Sequence, residues 1–345
     1  MSNDGQAAVP RVPDFDLLRA IGRGGFGEVW LARNQSTGQL RAVKLIALSR
    51  PGTTDPAGRE IASITRLEEN VKTNHPNLLA IHHVGKTQDH LFYVSDPADD
   101  ATGGPASADP SYRPATLAER LEAGPMPPDE CRQCAEQLLT GLAHLHAAGM
   151  VHRDVKPANC LFVDGQLKLA DFGLLAEATP LVSRVGTEKY MPPDGRMDTR
   201  ADVYAAGLVI YEMMTGRPVE NFPRLGEQAR AIADDPILQR LNHLVLRACQ
   251  PKASDRYDDA RAMLAAWRKP PKRRAQPTRR VLIASIAAVF VVVAAVVAGV
   301  WWGGLRSAPA PDRVDVSFIT EPFEATVFID DELQKRPDDG TDYTT

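Results

Sequence analysis

The sequence has few cysteines, and they do not follow the pattern of a disulfide framework or a metal site. Its 345 residues include four of them: Cys131, Cys134, Cys160 and Cys249. The first two form a CxxC, but there is no second CxxC and no pair of histidines at ligand spacing. They lie in an amphipathic pattern, which favours residues on a helix face over zinc or redox chemistry. Four scattered cysteines are typical of a reducing compartment.

The chain also has little net charge, and no secretory signal opens it. The formal net charge is −4, which gives no indication of a nucleic-acid partner. The opening MSNDGQAAVPRVPDF is polar and contains proline, so residues 1–14 are predicted to be a disordered lead. Basic charge is concentrated in RKPPKRRAQPTRR (268–280), which holds seven basic residues and no acidic one. A nucleic-acid patch is one interpretation of that run.

Long apolar segments are absent except for one. Residues 281–302 contain no charge over 22 positions and end in two tryptophans. At about 1.5 Å per residue, such a helix spans the roughly 30 Å hydrocarbon core of a bilayer. The adjacent run 269–280 is therefore interpreted as a basic juxtamembrane linker rather than a nucleic-acid patch. We expect a single-pass cell-membrane protein with residues 1–280 in the cytoplasm and 303–345 outside.

A glycine-rich pattern stands near the start of the globular region. Gly22, Gly24 and Gly27 form GxGxxG, followed by Val29. Glycines let the backbone approach phosphates and offer N–H donors to them. Dinucleotide-binding folds share this pattern but need a helix directly after the loop. Here EVWLARN is strand-like, so the loop is predicted to join two strands over a nucleotide.

A lysine follows in an apolar strand pattern, GQLRAVKLIAL. Lys44 carries a desolvation cost there unless it is paired, although an edge lysine that reaches solvent is the alternative. A functional lysine needs a phosphate and a carboxylate partner. Glu60, at the start of an amphipathic pattern, is the predicted partner, and Glu68 and Glu69 are competing acids on the same helix.

The stretch VHRDVKPANCLF (151–162) sets polar residues between apolar neighbours: His152, Arg153, Asp154, Lys156 and Asn159. It is either a solvated loop or a catalytic loop held between core elements. Asp171, in DFG, ends an apolar strand pattern twelve residues after Asn159. Its carboxylate and the asparagine oxygen are hard ligands of the kind that Mg²⁺ prefers.

In order and spacing these motifs, with GTEKYMPPD and DVYAAG, resemble the eukaryotic-type (Hanks-type) serine/threonine protein kinases of bacteria over residues 15–268. The resemblance implies an α+β, bilobal protein-kinase fold with a small β-rich N-lobe and a larger helical C-lobe. A transmembrane helix and a short β-like tail complete the predicted architecture.

The resemblance also implies roles for individual residues. Asp154 accepts the proton of the substrate hydroxyl, and Lys156 steadies the γ-phosphate. Lys44 contacts the α and β phosphates and pairs with Glu60, while Asn159 and Asp171 bind Mg²⁺, or Mn²⁺ in its place. The expected ATP-binding residues are Ile21, Gly22, Gly24, Gly25, Gly27, Val29, Ala42, Lys44, Asp96 and Ala98.

The 24-residue segment from Asp171 to Asp194 matches the activation segment of the family. Arg153 resembles the arginine that pairs with an activation-loop phosphate. Thr179 and Ser183 are the hydroxyls available for that phosphate, whereas Thr187 matches the substrate-binding turn.

The chain departs from the family pattern at a few positions. Asp194 stands where the family has glutamate, and its predicted partner is Arg256. Ser95 matches the gatekeeper position and is small for it, which leaves room behind the adenine.

The segment DVSFITEPFEATVFIDDELQ alternates apolar and polar residues, which predicts a strand. It resembles the start of a PEGA-type module, with Pro322 and Ala325 at matching positions. The piece has too few residues for a core of its own, and a disordered acidic tail is the alternative.

Three functions stay open. The favoured one is an ATP- and Mg²⁺-dependent protein serine/threonine kinase that acts on protein substrates and on itself. A pseudokinase scaffold is the second, and a small-molecule phosphotransferase, disfavoured by Lys156 and the GTEKYMPP turn, is the third. A homodimer through the small residues of VAAVVAGVWWGG is a further hypothesis.

Overall fold

The computed structural model describes residues 10–24, 27–48, 75–171 and 188–269, together with the short strands 327–329 and 332–334. Its contacts divide the chain into two units, Met1–Pro271 and Lys272–Thr345. The predicted lobes of the bilobal fold both lie in the first unit.

The N-terminal part of the first unit is an antiparallel five-stranded sheet in the order β1-β2-β3-β5-β4. Its strands are rich in β-branched and aromatic residues, and alternate residues pack on its two faces. The strands are β1 (Phe15–Gly24), β2 (Gly27–Asn34), β3 (Leu40–Ala47), β4 (Ile81–Lys86) and β5 (His90–Ser95).

The glycine-rich pattern lies in the β1–β2 hairpin, as predicted for a loop between two strands. Gly24 pairs with Gly27 at its end. Gly27 has φ +136°, and a Cβ atom there would stand 2.0 Å from the backbone oxygen of Leu45. Only glycine fits this approach of the hairpin to β3.

The C-terminal part is helical. The six α-helices among the described residues are α1 (Leu117–Leu121), α2 (Pro128–Ala147), α3 (Thr199–Thr215), α4 (Ala229–Asp234), α5 (Pro236–Ala248) and α6 (Ala260–Arg268). Helix α3 is apolar on nearly all sides and passes through the main core, which explains its weak amphipathic pattern. Asp198 caps its N-terminus, and Gly216 ends it in the left-handed conformation.

A small β-hairpin follows helix α2 along the chain. Strands β6 (Cys160–Val163) and β7 (Gln166–Leu169) pair in antiparallel fashion after a 3₁₀ turn at Pro157–Asn159. Residues 151–159 therefore run between the end of α2 and β6, both of which belong to the core. This arrangement and the sheet above it confirm the predicted bilobal fold.

Buried side chains anchor two segments outside the helices and strands. The sequence predicts a disordered lead over residues 1–14, but Val12 is buried and bridges to Phe15. About half of the residues in the turn-rich stretch 98–116 are exposed, yet Tyr112 within it is fully buried. Its hydroxyl donates to the carbonyl of Ala98 at 2.8 Å, which anchors the loop to the segment after β5.

The second unit is described only by β8 (Val327–Ile329) and β9 (Glu332–Gln334), which pair in antiparallel fashion. They fall in the stretch whose alternation predicts a strand. Across the described ranges, no helix combines the length and apolar character needed to cross a bilayer. The predicted membrane segment, residues 281–302, lies outside those ranges.

Candidate active site

Lys44 lies on β3, the central strand of the sheet, and its side chain lines the cavity between the sheet and the 151–159 loop. The residue is 6 % exposed. Its Nζ atom is 2.7 Å from Oδ1 of Asp171, so the carboxylate partner seen here is the acid of the DFG motif. Glu60, the predicted partner, lies outside the described residues. The burial of Lys44 on the central strand excludes the alternative of an edge lysine that reaches solvent.

Asp171 is held at the end of β7 in an unusual backbone conformation. Its φ is +58°, which is rare for a residue other than glycine. Desolvation alone would raise the pKa of its carboxyl. The charge of Lys44 and hydrogen bonds from Lys44 and Tyr93 outweigh that effect and lower the pKa below its ordinary value. Asp171 is therefore an anion at neutral pH, as a metal ligand must be.

Two polar side chains of the 151–162 stretch converge on the carboxylate of Asp154. Nζ of Lys156 lies 2.9 and 2.8 Å from the two carboxylate oxygens of Asp154. Nδ2 of Asn159 donates to Oδ2 of Asp154 and to its backbone carbonyl, both at 2.8 Å. Asp154 is nearly buried, so these donors fix its orientation. The structure thus brings together the predicted base, phosphate clamp and metal ligand.

A second carboxylate, which sequence reasoning did not single out, holds the backbone of this loop. Asp202, on α3, accepts from the N–H groups of His152 and Arg153, both at 2.7 Å. It also lies 2.9 Å from Nε2 of His146 and is almost completely buried. The available signal was an acid at the start of the otherwise apolar DVYAAG helix, because a buried carboxylate needs several donors.

Arg153 belongs to the same loop, and its guanidinium group is only partly hydrogen-bonded within the described residues. Its Nε donates to the carbonyl of Met197 at 3.2 Å. Its Nη1 is buried and has no hydrogen-bond partner among the described residues. The residues predicted to supply a phosphate or a substrate turn, Thr179, Ser183 and Thr187, lie outside those residues.

A cavity of about 430 Å³ lies between the sheet and the loop. This volume suits a ligand of the size of a nucleotide. The predicted ATP and metal residues that line it are Ile21, Gly22, Val29, Ala42, Lys44, Asp96, Ala98, Asn159 and Asp171. Tyr93 and Ser95 line it too, and Ser95 is buried at the predicted gatekeeper position.

The remaining predicted ATP contacts, in the glycine-rich loop and at Asp96, stay predictions. Gly24 and Gly27 pair at the hairpin end and are not among the described lining residues, and Gly25 lies outside the described ranges. The carboxylate of Asp96 is turned to Nε2 of His82 at 2.7 Å. The resemblance assigns the adenine contact to backbone groups of Asp96 and Ala98, so that contact stays a prediction.

The donor set of the cleft fits a magnesium ion. The amide nitrogen of Asn159 is engaged by Asp154, so its oxygen is the atom left for a metal. Asp171 supplies carboxylate oxygens at the same cavity, and its side chain is 31 % exposed. Two hard oxygen donors, completed by phosphate and water, are typical of a Mg²⁺–nucleotide site.

The pair predicted from the family departure is present. Arg256 donates to Asp194 at 3.0 Å and to the carbonyls of Gln250 and Pro251. Its side chain is fully buried. The shorter acid therefore still joins the end of the activation segment to the helical lobe.

Comparison with known proteins decides the family. A model described as "Protein kinase domain" matches residues 15–278. The chain belongs to the protein kinase family. The kinase is 36 % identical over 217 residues to the serine/threonine-protein kinase PknL of Mycobacterium tuberculosis, a match that covers 56 % of this chain and 50 % of that protein.

Two further relatives are also bacterial serine/threonine kinases. PrkC of Bacillus subtilis is 28 % identical over 279 residues, which cover 73 % of this chain and 39 % of that protein. The kinase pkn2 of Myxococcus xanthus is 29 % identical over 283 residues, which cover 73 % of this chain and 32 % of that protein. The chain thus spans half or less of the length of these curated relatives. The predicted Hanks-type serine/threonine kinase domain is confirmed.

Proposed function

We propose that the chain transfers the γ-phosphate of ATP to serine and threonine hydroxyls of proteins, itself included. The observation that carries this is the convergence of Lys156 and Asn159 on Asp154, beside a cleft lined by Lys44 and Asp171. Phosphoryl transfer depends on positioning and charge neutralisation, and these residue types supply both. The relatives named as serine/threonine kinases support the same substrate class.

The residues divide the proposed reaction between them. Asp154 accepts the proton of the acceptor hydroxyl as its oxygen bonds to the γ-phosphorus and the bond to ADP breaks. Lys156, already beside that carboxylate, shares its charge with the transferred group. Lys44 orients the remaining phosphates. Mg²⁺ held by Asn159 and Asp171 neutralises phosphate charge when bound.

A scaffold without catalysis is the alternative, and radiolabel transfer from ATP separates the two. Wild type should label itself and a protein substrate. Asp154→Asn should lower kcat by about 10²–10⁴-fold, the usual contribution of a general base, while the Kd for ATP stays unchanged. No transfer by wild type with Mg²⁺ or Mn²⁺ favours the scaffold. Labelling of a metabolite but of no protein favours a small-molecule phosphotransferase.

Control by phosphorylation of the activation segment is a second part of the proposal. A phosphate on Ser183 or Thr179 would pair with Arg153. The buried, unpartnered Nη1 of Arg153 within the described structure supports this, since a buried guanidinium needs acceptors. Mass spectrometry of active protein should find one of the two residues phosphorylated. Full activity with both unmodified contradicts it.

Membrane anchoring is a third part. The uncharged run 281–302 and the basic residues before it support a single-pass helix, with the kinase cytoplasmic and a PEGA-like piece outside. Small residues in the run support a homodimer and phosphorylation in trans. Cells should yield the chain in the membrane fraction, with a C-terminal tag open to external protease. Recovery in the soluble fraction contradicts this topology.

A further inference from the structure

Tyr93 occupies a position next to the catalytic lysine that the proposed mechanism does not yet use. It stands on β5 directly opposite Lys44 on β3. Tyr93 is 5 % exposed, and its ring centroid is 5.6 Å from Nζ of Lys44. Because side chains two residues apart share a face of a strand, Tyr93 and Ser95 both line the cleft.

The hydroxyl of Tyr93 ends on the metal-binding carboxylate. It donates to Oδ1 of Asp171 at 3.0 Å, and Nζ of Lys44 reaches the same oxygen at 2.7 Å. The last torsion of an aspartate side chain is broad and weakly defined by itself. Two donors on one oxygen restrict that torsion.

The two donors to Asp171, Lys44 and Tyr93, have different roles in the proposed reaction. The resemblance assigns Lys44 to the phosphates, and a flexible lysine that contacts phosphate cannot keep the same hold on Asp171. Tyr93 has a rigid ring in a packed sheet, with a hydroxyl that is a neutral donor to an anion. Its contact with Asp171 can persist while Lys44 serves the nucleotide.

We propose that Tyr93 is a positioning residue whose hydroxyl holds Asp171 in the orientation that binds the metal–nucleotide complex. The inference rests on the proposed function, because it gives Asp171 the role of metal ligand. It predicts that the hydroxyl matters to nucleotide binding only when the metal is present.

The test compares Tyr93→Phe with Tyr211→Phe in the full chain. Both changes remove one buried hydroxyl, and that of Tyr211 bonds to the carbonyl of Arg224 in the helical lobe, away from the cleft. Calorimetry gives the Kd for ATP with Mg²⁺ and with EDTA. For Tyr93→Phe, we expect the gain in affinity from Mg²⁺ to fall about tenfold, the scale of one hydrogen bond to a charged group. The Kd in EDTA should stay within about twofold of wild type.

The control variant, the melting temperature and the Mg²⁺ dependence of the rate complete the test. Tyr211→Phe should keep the full gain from Mg²⁺, and without nucleotide Tyr93→Phe should melt no lower than this control. In kinetic assays, Tyr93→Phe should need about tenfold more Mg²⁺ for half-maximal rate. An unchanged gain from Mg²⁺, an equal loss in EDTA, or no gain in wild type overturns the proposal. If wild type transfers no phosphate but only Tyr93→Phe loses the gain, the proposed function fails and this inference stands.

Discussion

At the residue scale, three carboxylates organise the hydrogen bonds of the site, and each accepts from its own set of donors. Asp154 is held by side chains of its own loop, and Asp171 by side chains of the sheet. Asp202 instead holds the backbone of the catalytic loop from the helix below. Arg153 there has φ +66°, so the loop adopts a conformation that this anchor helps to fix.

The Asp202→Asn substitution should therefore lower kcat, although Asp202 acts through the loop backbone and not by contact with the substrate. Asparagine keeps the shape, but its NH₂ group would face a backbone N–H, which leaves a donor unsatisfied at a cost of about 1–3 kcal/mol. We expect a fall in kcat on the order of 10²-fold, as for small misplacements of catalytic groups, with the Kd for ATP little changed. Steady-state kinetics and calorimetry measure both.

The control lies on the same helix. Asp198→Asn changes an exposed acid at the N-cap of α3, where asparagine caps about as well as aspartate. It should leave kcat and the melting temperature unchanged. Equal effects from the two substitutions would show that charge near α3, and not the anchor at Asp202, controls the loop.

The cysteines give a pH-dependent prediction. Burial raises the pKa of Cys131 and of Cys134 to about 12. It also raises the pKa of Cys160 and Cys249, so all four thiols are protonated at pH 8. Since the folded pKa values lie above the ordinary value, the neutral thiols favour folding below about pH 9, and this contribution is lost as the pH rises toward 12.

Native protein at pH 8 should therefore show no fast reaction with a disulfide reagent, whereas unfolded protein should release four equivalents. Added zinc should leave both counts unchanged. A fast native equivalent would point instead to redox or metal chemistry at the CxxC.

The sequence was most informative where a role depends on neighbours along the chain. Asp154, Lys156 and Asn159 lie within one loop, and the family resemblance of that loop implied their roles before the structure showed them in contact. Tyr93 and Asp202 were missed because their contacts depend on a strand register and on a helix about fifty residues further on. The contact of Tyr93 leaves no local pattern, and the only local signal of Asp202 is an acid in the otherwise apolar DVYAAG segment.

At the scale of elements, the geometry of the β1–β2 hairpin depends on a single residue, Gly27. Gly27 lies against the backbone of β3, where a side chain has no room. The strand periodicity predicted the hairpin. The close approach could not be predicted, because it comes from the packing of a third strand.

Gly27→Ala should force the hairpin away from β3. Its backbone conformation and the contact with Leu45 should together cost about 1–3 kcal/mol, and the KM for ATP should rise. Gly38→Ala is the matched control, because Gly38 also has positive φ, at +70°, but no atom lies within 4 Å of its added Cβ. It should lower the melting temperature slightly and leave KM unchanged. A normal KM for Gly27→Ala would separate the hairpin from nucleotide binding.

At the scale of the whole molecule, every core cluster of the described structure lies between Val12 and Trp267. These residues belong to the unit that ends at Pro271. Among the described residues, the first core residue, Val12, lies within the predicted lead, and the last, Trp267, directly precedes the basic run. The predicted boundaries at residues 14 and 268 stay predictions, and the burial of Val12 could not be foreseen because a single buried valine leaves little trace in a polar, proline-containing stretch.

A chain of residues 1–269 should therefore fold alone. We expect one cooperative thermal transition and a Kd for ATP equal to that of the full chain, measured by calorimetry in detergent for the latter. A chain of residues 1–280, which keeps the basic run, is the control and should behave in the same way. Loss of the transition in the shorter chain would show that the domain needs residues beyond Lys269.

The burial of every native thiol makes the domain a convenient host for a spectroscopic reporter. A cysteine placed at Ser111, in the exposed part of the loop after β5, would be the accessible attachment point for a dye. Tyr112 beside it is anchored to the carbonyl of Ala98 at the edge of the cleft. Emission from such a label could follow the arrival and departure of nucleotide in real time, without a coupled enzyme assay.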